Sequence, residues 1–340
     1  VTALLGLVKV ARDKGDSYDV GIGLAIEALL SSPNFLYRIE IDPDPSSTKP
    51  RAVSSHEMAS RLSYFLWASM PDADLFTAAD GDKLKDPKDI ESQVARMLDD
   101  PKASGLVTSF GDLWIPNRAF ANHEVDTAIF PKFTPELRTA MLGETQALLK
   151  DLFSGAIGFN GFLTADYTYV NDALAEHYGL AKPGSTSLKK VTLPANSNRR
   201  GYITHGSFLA ATSQPGTTSI VKRGRFVFED LLCGEVAEPQ DGVPQFDTSG
   251  GGTLREKFER HRADPKCRAC HEAIDPPGFA LETYNAVGAF RTMDNGGVID
   301  PSGELVTDGG PVRVKDAIDM AQVISKDDGY ARCVTHALFT

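Results

Sequence analysis

The chain has 340 residues, enough for two or three domains with cores of their own, and at 41% hydrophobic and 24% charged its composition is that of an ordinary globular protein. A formal net charge of −11 argues against a nucleic-acid or anionic-membrane partner and favours docking with a basic one. No apolar run approaches the ~20 residues that a transmembrane helix needs, so no transmembrane segment is expected in this chain.

Val1–Arg12 and Asp19–Ser31 read as helices separated by the breaker Lys14-Gly15-Asp16. Ser32-Pro33-Asn34 ends the second, an extended segment over Phe35–Ile39 follows, and residues 41–53, rich in Asp, Pro and Ser, form a linker. Ser54 with Glu57 makes a capping box for a helix through Trp67. Asp86 and Pro87 start another that runs to Asp99, with Ile90, Val94 and Met97-Leu98 on one face, and residues 103–115 continue the helical pattern. Thr134-Pro135-Glu136 opens a long helix to about Phe153. Trp67 and Trp114 read as core, with an electron-transfer set as the alternative.

Asp166–Val170 is β-rich and leads into a short helix holding His177 and Tyr178. The polar connection over 183–200 ends in Arg199-Arg200-Gly201 and is the expected main domain boundary. Beyond it Tyr202–Ala211, Ser219–Leu232 and Leu254–His261 read as helices, and residues 234–252 as a loop. Phe279–Glu282 and Val287–Arg291 are apolar segments expected to line a cofactor pocket. Val298–Val306 turns at Pro301-Ser302-Gly303, and Val314–Ile324 and Tyr330–Phe339 close the chain as helices. The fold class is therefore mainly α, multi-domain, with few short β segments.

Cys267-Arg268-Ala269-Cys270-His271 is a C-x-x-C-H run, the signature of covalent c-type haem attachment. On a helix, residues three and four apart share one face, so two sulfurs and one imidazole can address one flat macrocycle. Cys267 and Cys270 would bond to the haem and His271 would be the proximal iron ligand. Asp264-Pro265-Lys266 starts this helix, and Asp275-Pro276-Pro277-Gly278 is expected to stop it two turns later. Zinc held by Cys267, Cys270, His271 and either His261 or Cys233 is the alternative, although no second spaced ligand pair is present.

Four cysteines are present, so haem attachment leaves Cys233 and Cys333. A disulfide between them would close a ~100-residue loop around the haem segment; two separate buried thiols are the other reading. Both haem and a disulfide imply an oxidising, exported setting, periplasmic or extracellular. Val1-Thr2-Ala3-Leu4-Leu5 carries no signal peptide, which suggests a portion of a longer precursor.

The stretch LREKFERHRADPKCRACHEAIDPPGFALETYNAVGAFR, Leu254 to Arg291, resembles the cytochrome-like domain of planctomycete-type secreted proteins. SRLSYFLWASMPDADL and LTADYTYVNDALAEHYGL look like the large domain found upstream of it, TSQPGTTSIVKRGRFVFEDLLC like the entry to the cytochrome domain, and YARCVTHALF like the small C-terminal domain. The resemblance implies four domains: 1–41, a helical secreted domain; 54–182, a large helical domain of unknown function; 199–296, the cytochrome c-like haem domain; and 297–340, a truncated C-terminal domain. The pattern departs from the family at Thr217 and Ile220, where an arginine and a proline are expected.

For the sixth iron position His261 and His205 rank ahead of Met293 and Met320, which read as core. His56, His123, His177 and His336 read as structural or surface residues. Lys222, Arg223, Arg225 and Arg291 are candidates to meet the haem propionates, with a solvated helix face as the alternative. The leading expectation is an exported c-type cytochrome module with one covalent haem c, passing single electrons to and from a redox partner protein. A haem peroxidase or oxidase, whose pocket the N-terminal domain builds, is the rival. A haem-bearing structural component of a surface or envelope assembly is the third reading.

Overall fold

The computed structural model describes residues 2–236 and 251–339, so most of the loop expected over 234–252 lies outside the described residues. The chain forms two compact units, Val1–Met97 and Leu98–Thr340. The secondary structure is mainly helical with three two-stranded ribbons, the fold class that the periodicity predicts.

In the first unit α1 (Thr2–Asp13) packs on α2 (Tyr18–Leu30), which Ser17 caps by accepting from the Val20 N–H. The expected extended segment is corrected by a helical turn, α3 (Pro33–Leu36). Pro33 has its φ preset for a first helical position, so the turn closes over Phe35 and Leu36 before Tyr37 extends. The Ser54–Glu57 capping box is formed and opens α4 (Ser55–Trp67), followed by α5 (Ala73–Asp80) and α6 (Pro87–Asp99). The Trp67 indole donates to Met97 O at 2.8 Å, and Asp72, the cap of α5, takes two bonds from Arg96 at 2.7 and 3.1 Å. These contacts tie three helices together.

In the second unit the helix expected over 103–115 is broken into a 3-10 turn (Pro101–Ala103), α7 (Ser104–Leu106), a π turn (Val107–Gly111) and α8 (Asp112–Trp114). Hydroxyls compete for the backbone there: Thr108 and Ser109 both donate to Gly105 O, at 3.2 and 2.7 Å. After α9 (Asn117–Ala121) comes α10 (Pro135–Phe153), capped by Thr134, with Leu137, Met141, Leu148 and Leu152 on its buried face. Next is α11 (Phe159–Thr164), and β1 (Tyr167–Val170) pairs antiparallel with β2 (Lys189–Thr192), Tyr167 opposite Thr192, around α12 (Asp172–Tyr178). The 183–200 connection lies inside this unit. Its last part carries Arg199, buried, which donates to Thr204 O and Gly288 O.

The chain continues through α13 (Gly206–Ala211), α14 (Ile220–Phe226) with a π turn at Val227–Leu231, α15 (Leu254–His261) and α16 (Pro265–Ala280). Here the second correction falls: Pro276 and Pro277 lie inside α16 and do not stop it. Their missing N–H groups normally cost an interior helix dearly. Burial offsets that cost, since Ile274 through Ala280 are all buried. The crossing of α14 and α16 is close enough to require glycine on both sides: a Cβ on Gly224 would lie 1.7 Å from Ile274 O, and one on Gly278 2.2 Å from Ile220 O. Two ribbons, β3 (Met293–Asp294) with β4 (Gly297–Val298) and β5 (Gly303–Thr307) with β6 (Gly310–Val314), lead to α17 (Ala317–Ile324) and α18 (Asp328–Phe339).

The largest core joins α10, α11, α13, α14, the end of α16, α17 and α18, and includes Leu148, Phe162, Tyr202, Phe208, Leu281 and Met320. Trp114 belongs to it, stacked between Phe110 and Phe162 with ring centroids 5.6 and 5.4 Å away. Cys233 and Cys333 are joined by a disulfide that fastens the end of the α14 segment to α18 across a sequence separation of 100.

Candidate cofactor-attachment site

Helix α16 begins where Asp264 accepts from the Lys266 N–H and Pro265 takes the first turn. Cys267, Cys270 and His271 follow on the next turns, as the spacing requires. Cys267 is buried, Cys270 and His271 are half-buried, and neither cysteine takes part in a disulfide. His271 Nδ1 donates to Asp275 Oδ1 at 2.8 Å, one helical turn on, so Nε2 is the ring nitrogen outside that bond. Asp275 is fully buried, and burial pushes its carboxyl above the usual range while the His271 bond pulls it back. Its Oδ2 has no hydrogen-bond partner among the described residues and lies 3.5 Å from Arg262 Nε.

Helix α15, opened by a Thr253–Glu256 capping box, packs its end on this turn. The His261 ring stands edge-on to His271, centroids 4.8 Å apart, and Phe258 is 5.8 Å away. His261 thus lies beside the His271 ring in this arrangement, and to reach the opposite face of a macrocycle bound there it would have to leave that contact. Burial lowers its pKa. Phe279 packs on Phe258 rather than on His271 itself.

His205 is placed elsewhere. Its Nδ1 is 2.9 Å from Thr145 Oγ1, and its Nε2 is 3.8 Å from Glu144 Oε1. Burial lowers its pKa to about 3 and raises that of Glu144 to about 7. It lines a small enclosed gap with Glu144, Tyr167, Thr168 and Arg199, and no residue of the C-x-x-C-H run is among the lining residues. Met320 is fully buried in the main core and Met293 is exposed. His177 bonds Val287 O at 2.7 Å, and His56 pairs with Asp80 at 2.9 Å.

The cations expected to meet propionates are engaged with the protein. Arg223, fully buried, donates to Leu281 O, Tyr284 O, Leu209 O, Asn285 O and Ser213 Oγ, and burial lowers its pKa to about 10. This corrects the solvent-facing role that the Lys-Arg-Gly-Arg run suggests: its small neighbour Gly224 draws α14 so close to α16 that the guanidinium is enclosed. Arg291 pairs with Glu282 and Asp294, Arg225 with Glu229, and Lys222 bonds Ser213 O. Arg262 and Arg268, the latter within the motif, line an open groove of about 280 Å³ with Glu259, Ala263 and Glu272. Sequence reasoning passed over them and Asp275. The signal for Asp275 was present, a carboxylate four residues after His271, but it was read as part of a helix stop.

Among the described residues no group of three or more His, Cys, Asp or Glu is arranged to hold a metal ion, and Cys233, one fourth ligand considered for zinc, is consumed by the disulfide. None of the described helices is long and apolar enough to cross a membrane.

The chain is mainly helical, and family models of the planctomycete-type cytochrome-associated domains match it. Three family models match it, each described as a protein of unknown function: PSD5 (DUF1595) over residues 1–40, PSD4 (DUF1592) over 53–180, and PSCyt3 (DUF1588) over 199–294, the last containing the C-x-x-C-H run. No curated protein and no solved structure matches the chain.

Proposed function

We propose that this chain is an exported c-type cytochrome module that carries one covalent haem and passes single electrons between partners. The observation that carries the reading is the presentation of Cys267, Cys270 and His271 along one helix, with His271 Nδ1 tied to Asp275 and Nε2 left for iron. Each thiol would add across one haem vinyl group, sulfur to one carbon and hydrogen to the other, with no net oxidation. The haem would supply the one-electron couple of its iron. This chain's own residues would hold it: α16 would orient the ligand ring, Asp275 would fix its tautomer, and Arg262 and Arg268, which line the groove beside the motif, would meet the propionates. The Cys233–Cys333 disulfide supports an oxidising compartment outside the cytoplasm.

A haem peroxidase or oxidase is the second reading, favoured by the buried carboxylate against His271, since a more strongly donating proximal ligand suits chemistry at the iron. Spectra of the protein produced with c-type haem maturation test both. Electron transfer predicts a low-spin, six-coordinate ferric form that cyanide and peroxide leave unchanged; a persistently high-spin form that reacts with peroxide supports the enzyme instead.

A further inference from the structure

We infer that Asp275 is a positioning residue that sets the donor strength of His271 and so the reduction potential of the haem; this rests on the haem reading and deepens it. The carboxylate lies on the protein side of the ring, fully buried, and the half-buried imidazole turns its Nδ1–H to it at 2.8 Å. His271 is its one hydrogen-bond donor among the described residues, because Oδ2 is buried with no such partner. A carboxylate shared among several donors spreads its charge over them, whereas this one bears on a single N–H. The charged and titratable groups that face it are His271 on its own helix and, from the α15 side, His261 and Arg262, whose Nε is 3.5 Å from Oδ2.

A buried carboxylate that accepts from a ligand imidazole makes the ring more basic and gives it imidazolate character. A stronger axial donor favours ferric over ferrous iron and lowers the potential. The frame holds the pair in place: the turn carrying Asp275 runs into Pro276 and Pro277, and the Gly224–Gly278 crossing pins it against α14. The carboxylate is therefore held at the ring, and its charge is balanced by one arginine.

The test compares wild-type holoprotein with Asp275→Asn and Asp275→Glu, measuring covalent haem by pyridine haemochrome, midpoint potential by spectroelectrochemical titration, and ferric EPR g-values. The Asn variant is expected to keep its covalent haem with a more positive potential and displaced g-values, and the Glu variant to return toward wild type. A haem-loaded Asn variant with wild-type potential and g-values overturns the inference and leaves the haem reading standing. Wild-type protein without c-type haem bands overturns the haem reading and the inference with it. Should the Asn variant fail to fold, Arg262→Gln removes the cation beside Asp275 Oδ2, and the ferric g-values decide, because loss of a propionate partner would by itself lower the potential; g-values of a stronger axial donor support the inference, and unchanged g-values overturn it.

Discussion

At the scale of single residues, buried polar groups carry the molecule's most specific commitments. Arg223 bonds four backbone carbonyls and one hydroxyl from three segments, so Arg223→Met would remove five bonds together, while Leu209 O, Leu281 O and Asn285 O keep the donors Ser213 Oγ, Tyr284 N and Gly288 N. A loss of about 1–3 kcal/mol in urea unfolding is expected, the cost of a buried acceptor left without its donor; an unchanged unfolding midpoint would contradict the contact set. Glu144 accepts from Thr168 and Tyr178 inside the core, and burial raises its carboxyl to about 7. The folded value lies above the unfolded one, so its contribution is fully present below about pH 4.5 and is lost as pH rises through about 7. Wild type should therefore gain on Glu144→Gln by about 3 kcal/mol as pH falls across that window. Denaturation of both proteins over a pH series reads the difference; a flat difference contradicts it. Neither role was legible in the sequence, because burial of an arginine in a basic run or of a glutamate in an amphipathic helix is decided by what packs over it.

At the scale of elements, starts were legible and interruptions were not. Ser54 with Glu57, and Thr134 with Pro135, fixed helix beginnings because a cap is a local bond between a side chain and a nearby N–H. Pro276 and Pro277 misled because a proline's local cost can be overridden by burial of the whole turn, and the i, i+4 pair of His271 and Asp275 was hidden by the same reading. The fragments between Pro101 and Trp114 were missed because hydroxyl competition at Gly105 O does not alter the apolar period. The crossing of α14 and α16 gives the element-scale prediction. Gly224→Ala places a methyl group on the Ile274 carbonyl and should cost about 3 kcal/mol, with reduced haem incorporation, since overpacking by a methylene already costs about 1–3 kcal/mol. Thermal unfolding near that of wild type would show that the helices can part without loss.

At the scale of the molecule, the Cys233–Cys333 bond spans a separation of 100 residues and encloses α15, α16, the β3–β4 and β5–β6 ribbons and α17. The chain-entropy model assigns such a loop on the order of 4–5 kcal/mol, so the Cys233→Ala, Cys333→Ala double variant should unfold at markedly lower denaturant; unfolding at the wild-type midpoint would contradict that. The pairing could be posed from the sequence by setting aside the C-x-x-C-H cysteines, but two buried thiols remained open until the segments were seen to meet. The division into compact units at Met97 was not legible, because it falls at the end of α6 and not in a polar linker. The C-x-x-C-H run was plain in the sequence, since its spacing is local to five residues, and haem attachment there is the proposal still to be tested. The most direct test of the account is a pyridine haemochrome spectrum with intact mass of the denatured protein, produced with c-type haem maturation, beside the Cys267→Ala, Cys270→Ala double variant. The account predicts c-type bands and a mass heavier by one haem in wild type, both absent from the variant; wild-type protein at the mass of the bare polypeptide, without those bands, would contradict it.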